Sequence, residues 1–289
     1  MIILKDIFQT VQGEGHFVGV PSLFIRLAGC NFTCGYCDTD WKRGFAVTVS
    51  DLIFLLEKIV SYDFTEAMSS NLIMQEVEAA VLKGIKLSRT SSSLIRVKDS
   101  QLPSSFIRQN EAASCSQPSH AHAHAHFVVT GGEPTVQKDI VWLTRELRSK
   151  FPECRIQFES NGSVSPDKFS EFRYKNRIWF TLSPKTLHPD FPLHFRNSLE
   201  YFQYFKGELK IVCENADDFL SKVVPLVEEN RMLMTYYSEC KGLQFWIMLE
   251  DSLGDADLAQ ETIAKVYGNK LIRKFFRISP RLQKQLRLK

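Results

Sequence analysis

Short apolar runs recur along the chain, and most of them end on a small or polar residue. The segments 22–29 (SLFIRLAG), 126–132 (HFVVTGG), 155–160 (RIQFES), 177–183 (RIWFTLS), 207–213 (GELKIVC) and 243–249 (LQFWIML) are rich in β-branched and aromatic residues and predict strands. Between several of them apolar positions repeat at helical spacing, which predicts helices over 136–150, 166–173, 215–230 and 255–268. A further helix is predicted over 48–62, with Ser50 as its N-cap. Strand and helix in alternation predict parallel βαβ units, hence an α/β sheet or partial barrel.

Residues 63–125 interrupt this rhythm. They open on a plausible helix (EAMSSNLIMQEVEAAVLKGI) and run into a stretch rich in Ser and Gln without clear periodicity. Removing the segment leaves an ordinary helix-to-strand connection. It therefore reads as an insertion, expected to be partly disordered toward its C-terminal end, in a single domain spanning 1–289. His120, His122, His124 and His126 alternate, and on a strand they would face one way and could bind a transition metal. Low-complexity drift is the weightier reading.

Composition narrows the class only slightly. The chain has 289 residues, 44% hydrophobic and 24% charged, with a net charge of +3, so charge alone points to neither nucleic acid nor a membrane surface. Nothing approaches the roughly 18 apolar residues of a membrane span. The opening MIILKDIFQT lacks the layout of a secretory signal, and a cytoplasmic protein is expected. The cysteines are Cys30, Cys34, Cys37, Cys115, Cys154, Cys213 and Cys240, an odd set with one tight cluster, unlike a disulfide framework. Cys154 and Cys213 read as small buried hydrophobes.

The cluster is Cys-x3-Cys-x2-Cys, directly after a predicted strand. A structural zinc site wants four ligands, commonly in two pairs, and no second pair exists here. Three thiolates suit an iron–sulfur cluster that keeps one iron open to an outside ligand. The segment alone leaves both metals open, with iron–sulfur ahead. A second element, FVVTGGEP (127–134), runs from a strand into Gly131, Gly132 and Glu133, where backbone can approach a ligand closely and an acid could hold an amine. An ordinary strand-to-helix turn would look similar. Arg26 sits in an otherwise apolar strand, where a lone charge is costly; a substrate carboxylate or a neighbouring acid would pair it.

The cysteine loop and the GGEP segment together resemble the radical S-adenosylmethionine superfamily. The stretch IFQTVQGEGHFVGVPSLFIRLAGCNFTCGYCDTDW is similar, more narrowly, to the N-terminal signature of the 7-carboxy-7-deazaguanine synthases, as are FESNGS, LSPK, GELKIV and RISP further on. The resemblance implies an incomplete (β/α) barrel with a long insertion after its first helix. It implies that Cys30, Cys34 and Cys37 hold a [4Fe–4S] cluster and that Tyr36, Gly131, Gly132, Glu133, Ser183, Pro184 and Lys185 contact S-adenosyl-L-methionine. Thr39 matches a Mg2+ ligand, and Val11, Gln12, Gly13, Glu14, Arg26, Thr130 and Glu159 would meet the substrate. The implied reaction converts 6-carboxy-5,6,7,8-tetrahydropterin to 7-carboxy-7-deazaguanine with loss of ammonia, on the way to queuosine in tRNA. Flavodoxin or ferredoxin would be the reductant, and a homodimer is implied, with no direct nucleic-acid or membrane partner.

Several of these residues fall at predicted strand ends, the active edge of parallel α/β folds, which is independent of the resemblance. Two stretches depart from the family pattern: RLQKQL carries Gln283 in place of a histidine, and IMLEDS puts Glu250 and Asp251 where Leu-Gln-Pro is usual. The insertion is a third departure. A glycyl-radical activase would share the cysteines and GGEP, and a zinc-binding module only the cysteines.

Overall fold

The structure is a computed structural model that describes residues 1–37, 39–60, 126–250, 256–279 and 281. One nine-stranded sheet runs through it in the order β3-β1-β2-β4-β5-β6-β7-β8-β9. The strands are β1 Ile2–Val11, β2 Pro21–Leu27, β3 Phe45–Val47, β4 His126–Gly131, β5 Arg155–Ser160, β6 Ile178–Leu182, β7 Lys206–Cys213, β8 Gln244–Leu249 and β9 Phe276–Ile278. From β2 through β9 the neighbours are parallel, while β1 is antiparallel to both β2 and β3. The helices are α1 Val49–Val60, α2 Ile140–Lys150, α3 Phe191–Tyr204, α4 Ala216–Glu229, α5 Arg231–Cys240, α6 Ala256–Gly268 and α7 Lys270–Phe275.

The inner strands are buried on both faces, as parallel strands covered by helices must be: β4 is buried over His126–Val129 and β7 over all but its first residue. The sheet is open but strongly curled. Gly15, on the loop after β1, donates its N–H to Ser279 Oγ just beyond β9 at 3.2 Å. Strands near opposite edges of the sheet are thus brought to the same loop, and the α/β architecture is an incomplete barrel.

Most predicted elements are present with ends displaced by a few residues. The N-cap of α1 is a correction: Thr48, not Ser50, holds the position. Thr48 Oγ1 accepts from Asp51 N at 3.1 Å and donates back to Asp51 Oδ2 at 2.7 Å, so the helix starts before Ser50. The predicted 166–173 helix is a 3-10 segment, Pro166–Phe172. β1 escaped prediction because a register shift between Leu4 and Asp6 breaks its alternation, leaving Ile2, Leu4, Ile7 and Thr10 as the buried positions. The segment read as an insertion, 63–125, lies outside the described residues, as do His120, His122 and His124.

His126 is described, and it is a core residue. It opens β4 at 2% exposure, with Nδ1 3.0 Å from Ser22 Oγ and its ring against Phe17. Burial, aided by the nearby Arg155, pushes its pKa down to about 4. Between that value and the ordinary pKa of about 6.5 the unfolded chain binds the extra proton. His126 therefore makes folding less favourable as pH falls through this window, by up to about 3 kcal/mol. Urea denaturation at pH 7 and pH 4.5 should show His126→Asn losing less stability on acidification than the parent; equal losses would refute the assignment.

Candidate active site

The cysteine loop leaves β2 at Ala28 and returns at Trp41, its neck closed by Gly29 N donating to Trp41 O at 2.8 Å. Inside it, Phe32 N donates to Cys30 Sγ at 3.4 Å and Cys37 N to Cys34 O at 3.2 Å, bending the chain so that all three thiols line one cavity. Burial pushes the Cys30 and Cys34 thiols above their ordinary range. No disulfide joins cysteines among the described residues.

The turn after β4 holds this loop in place. Gly132 N donates to Leu27 O at 2.8 Å and Glu133 N to Gly29 O at 2.9 Å. A Cβ on Gly131 would stand 2.0 Å from Leu27 O, and one on Gly132 2.0 Å from Gly29 O, so both glycines serve the approach of two backbones. Gly132→Ala should displace Gly29 and Cys30 and lower the thermal midpoint by several degrees; an unchanged midpoint in a thermal melt would refute this. Glu133 is 1% exposed, and its carboxylate accepts from Thr135 N (2.9 Å), Thr135 Oγ1 (2.6 Å) and Asn161 N (2.6 Å). These bonds lock the turn to the end of β5, and burial still pushes its pKa up.

The cavity, about 400 Å³, opens at the C-terminal ends of the parallel strands. Its polar floor is built around the loop that follows β1. Gln12 Nε2 donates to Gln157 Oε1 at 3.2 Å and Glu159 Oε1 at 3.0 Å, while Gln12 Oε1 accepts from Gly13 N and Glu14 N. Thr130 Oγ1 donates to Glu159 Oε2 at 3.0 Å. Glu14 is paired with Lys210 at 2.5 Å and Arg281 at 3.4 Å. Burial alone would lower the Lys210 pKa, but the carboxylates of Glu14, Glu159 and Glu208 outweigh it and hold the ammonium above the usual lysine range.

Glu208 anchors the same loop from beneath. It is fully buried and accepts from Thr181 Oγ1, His16 N and Trp246 Nε1, each at 2.7 Å. Gly15 has φ +66°, and a Cβ there would lie 2.4 Å from Glu208 Oε1, which accounts for the second glycine of QGEG. On the opposite wall Arg26 lies over the Phe8 ring at 4.6 Å and pairs with Asp6 at 3.3 Å. Both partners considered for this arginine therefore stay available: it has a neighbouring acid, and it still faces the cavity.

Every candidate site residue named in the sequence lines this cavity except Pro184, which is buried beside Ser183 and Lys185; the family departures Asp251 and Gln283 lie outside the described residues. Thr39 and Tyr36 are on the wall with the thiols, and Lys185 donates to Ser183 Oγ at 3.0 Å. Burial and the charge of Lys210 lower the Lys185 pKa. The Glu14 side chain is only 11% exposed, held by its two cations on the cavity floor. Sequence reasoning missed Lys210, Arg281 and the Phe8 and Phe24 rings, stacked at 5.1 Å. Lys210 and Glu208 did leave a signal: two charges in an apolar strand, the same signal that exposed Arg26. Glu250, one of the family departures, is also on the cavity wall.

Comparison with known proteins finds the same likeness over most of the chain. The 7-carboxy-7-deazaguanine synthase of Escherichia coli K12 is 30% identical over 184 residues, covering 63% of this chain and 60% of that protein. The protein of the same name from Pyrobaculum aerophilum is 25% identical over 285 residues, covering 96% and 90%. The chain is similar in sequence to proteins named 7-carboxy-7-deazaguanine synthase. It spans about six-tenths of the length of the first curated relatives it matches, at 61% and 60%. The crystal structure of QueE from Escherichia coli aligns over 96% of this chain and 92% of that one, at 20% identity and a TM-score of 0.48. No family model matches. No helix among the described residues is long and apolar enough to cross a membrane.

Proposed function

We propose that this chain is a radical S-adenosylmethionine carbon–nitrogen lyase that converts 6-carboxy-5,6,7,8-tetrahydropterin to 7-carboxy-7-deazaguanine with loss of ammonia, in queuosine biosynthesis. The observation that carries the reading is the convergence of Cys30, Cys34 and Cys37 on one cavity with Thr39, Arg26 and the Gln12–Glu14–Glu159–Lys210 floor.

The donor set fits the cofactors. Three thiols line one cavity with no fourth described cysteine beside them. A structural zinc site takes four protein ligands, whereas a [4Fe–4S] cluster held by three cysteines keeps one iron open to an outside ligand. Held by Cys30, Cys34 and Cys37 and by the Tyr36–Ser183–Lys185 wall, the cluster and S-adenosylmethionine would supply the radical chemistry for hydrogen-atom abstraction from the substrate. This chain's residues do the rest by position. The turn at Gly131–Glu133 fixes the cysteine loop, and Tyr36, Ser183 and Lys185 form the adjoining wall on which the cofactor would lie. Arg26 is placed to meet a carboxylate, while Gln12, Glu14 and Glu159 present acceptors and donors to a pterin edge. The Thr39 hydroxyl suits Mg2+, a hard cation that takes oxygen ligands. A floor tied down by Glu208 and Lys210 keeps these groups fixed and restricts water.

The wider reading includes a flavodoxin or ferredoxin reductant, a homodimer, a cytoplasmic setting and one domain carrying the 63–125 insertion. An activase acting on another protein's backbone would have no use for a carboxylate-ready Arg26 or for the polar floor. The test is anaerobic cluster reconstitution, reduction with dithionite, and incubation with carboxytetrahydropterin, S-adenosylmethionine and Mg2+. Formation of 5′-deoxyadenosine together with the deazaguanine product is expected. 5′-Deoxyadenosine without that product would overturn the substrate, and neither product would overturn the reaction class.

A further inference from the structure

Outside the cavity, the turn into α3 folds back on itself. His188 N donates to Lys185 O at 2.9 Å, Asp190 N to His188 Nδ1 at 3.1 Å, and His194 N to Asp190 O at 3.0 Å. One ligand atom from each of His188, Asp190 and His194 lies within 4.8 Å of the other two, the one such group of three among the described residues. His194 is 5% exposed, and its Nδ1 has no hydrogen-bond partner. An orphaned nitrogen on a buried imidazole costs on the order of 1–3 kcal/mol unless something satisfies it. Packing alone would be served as well by phenylalanine at this position.

The surroundings give the cluster a direction. Phe32, between Cys30 and Cys34, stacks on the His188 ring at 4.0 Å and lies 5.1 Å from the His194 ring. The two imidazoles, 4.9 Å apart, therefore form a three-ring cluster with a residue of the cysteine loop. Asp190 is exposed and opens the group to solvent, which provides an entry path. Two imidazoles and one carboxylate suit a borderline first-row cation such as Zn2+ or Co2+, and not Mg2+ or Ca2+, which take oxygen ligands. His188 Nδ1 and Asp190 Oδ2 are 4.0 Å apart, and metal–ligand bonds of about 2.1 Å would draw the donors together by side-chain rotation.

We propose that His188, Asp190 and His194 form a mononuclear divalent transition-metal site, separate from the three-cysteine centre, that braces Phe32 of the cysteine loop against the start of α3. The site does not depend on the substrate assigned to the cavity.

The test is Co2+ titration of the full-length chain carrying Cys30→Ser, Cys34→Ser, Cys37→Ser, Cys115→Ser and Cys240→Ser, with His120, His122 and His124 replaced by alanine, so that neither these thiols nor the alternating histidines compete. The expected result is one Co2+ per chain, with ligand-field bands and no sulfur charge-transfer band. Asp190→Asn should raise the Kd roughly tenfold or more, as should His188→Gln. A fixed excess of Zn2+ should raise the thermal midpoint of the parent by more than that of Asp190→Asn. Asp190 is exposed, so its variant is expected to melt like the parent without metal; if it melts lower, His188→Gln decides. No Co2+ bound by the parent, or a Kd unmoved by either substitution, overturns the site.

Discussion

Cys34→Ala is expected to abolish 5′-deoxyadenosine formation and to cut the iron content of reconstituted protein from about four per chain to below about one. Three thiolates are the minimum that can hold such a cluster with one iron open, and the loop has no spare: the other described cysteines, Cys154, Cys213 and Cys240, do not line the cavity. Cys34 is only half-buried and lies outside the helices and strands, so the cluster-free variant should match the cluster-free parent within about 0.5 kcal/mol. Cys213→Ala provides the contrast. That thiol is fully buried in β7, and losing it should cost about 1 kcal/mol while iron is retained. Iron analysis, cofactor cleavage and thermal melts separate the two. A Cys34→Ala protein with a full, active cluster would sink the ligand assignment.

The second large effect is on folding. Lys210, with its side chain 8% exposed, is the cation that Glu14 meets at 2.5 Å, and Glu159 and Glu208 add to the negative charge around it. Lys210→Met removes the closest cation from those carboxylates and leaves Glu14 its longer contact to Arg281, a change expected to cost up to about 3–5 kcal/mol, the scale for breaking a buried pair from one side. Arg281 also meets Glu14, at the longer distance of 3.4 Å. Adding Glu14→Gln to Lys210→Met removes one of those charges and should restore part of the loss, giving a favourable coupling in a double-mutant cycle. Urea denaturation measures all four proteins. A single-variant loss under about 1 kcal/mol, or a double variant no better than Lys210→Met, would show that the floor is not held by this pair.

These two residues differ in how openly the chain declared them. Cys34 stands in a spaced motif after a strand, a local pattern that can be read in one line. The parallel strands were also legible, because burial on both faces makes their apolar runs continuous. β1 was not, since its register shift destroys the alternation by which a strand is recognised. The Ser50 expectation failed because Thr48 and Asp51 form a reciprocal pair one turn earlier. Glu14 and Lys210 are 196 residues apart, so only the curl of the sheet discloses that they are partners. Glu133, beside its expected place near an amine, has a second task that only the fold discloses: its carboxylate accepts three hydrogen bonds that tie two strand ends together. The role of Gly15 likewise needed a partner from β7 before its missing Cβ made sense.

The hydrogen bond from Gly15 to Ser279 spans 264 residues. Closing so long a loop is entropically unfavourable until the intervening strands have paired, so contacts of this separation form late in folding. On the ribosome, the loop bearing Gln12 and Glu14 is made early and then has to await β7 and β9 before its acidic side chains find their cations. The cavity floor is consequently assembled from the two ends of the described chain, and it should be the first region to loosen in any protein whose last strand is truncated or slow to dock.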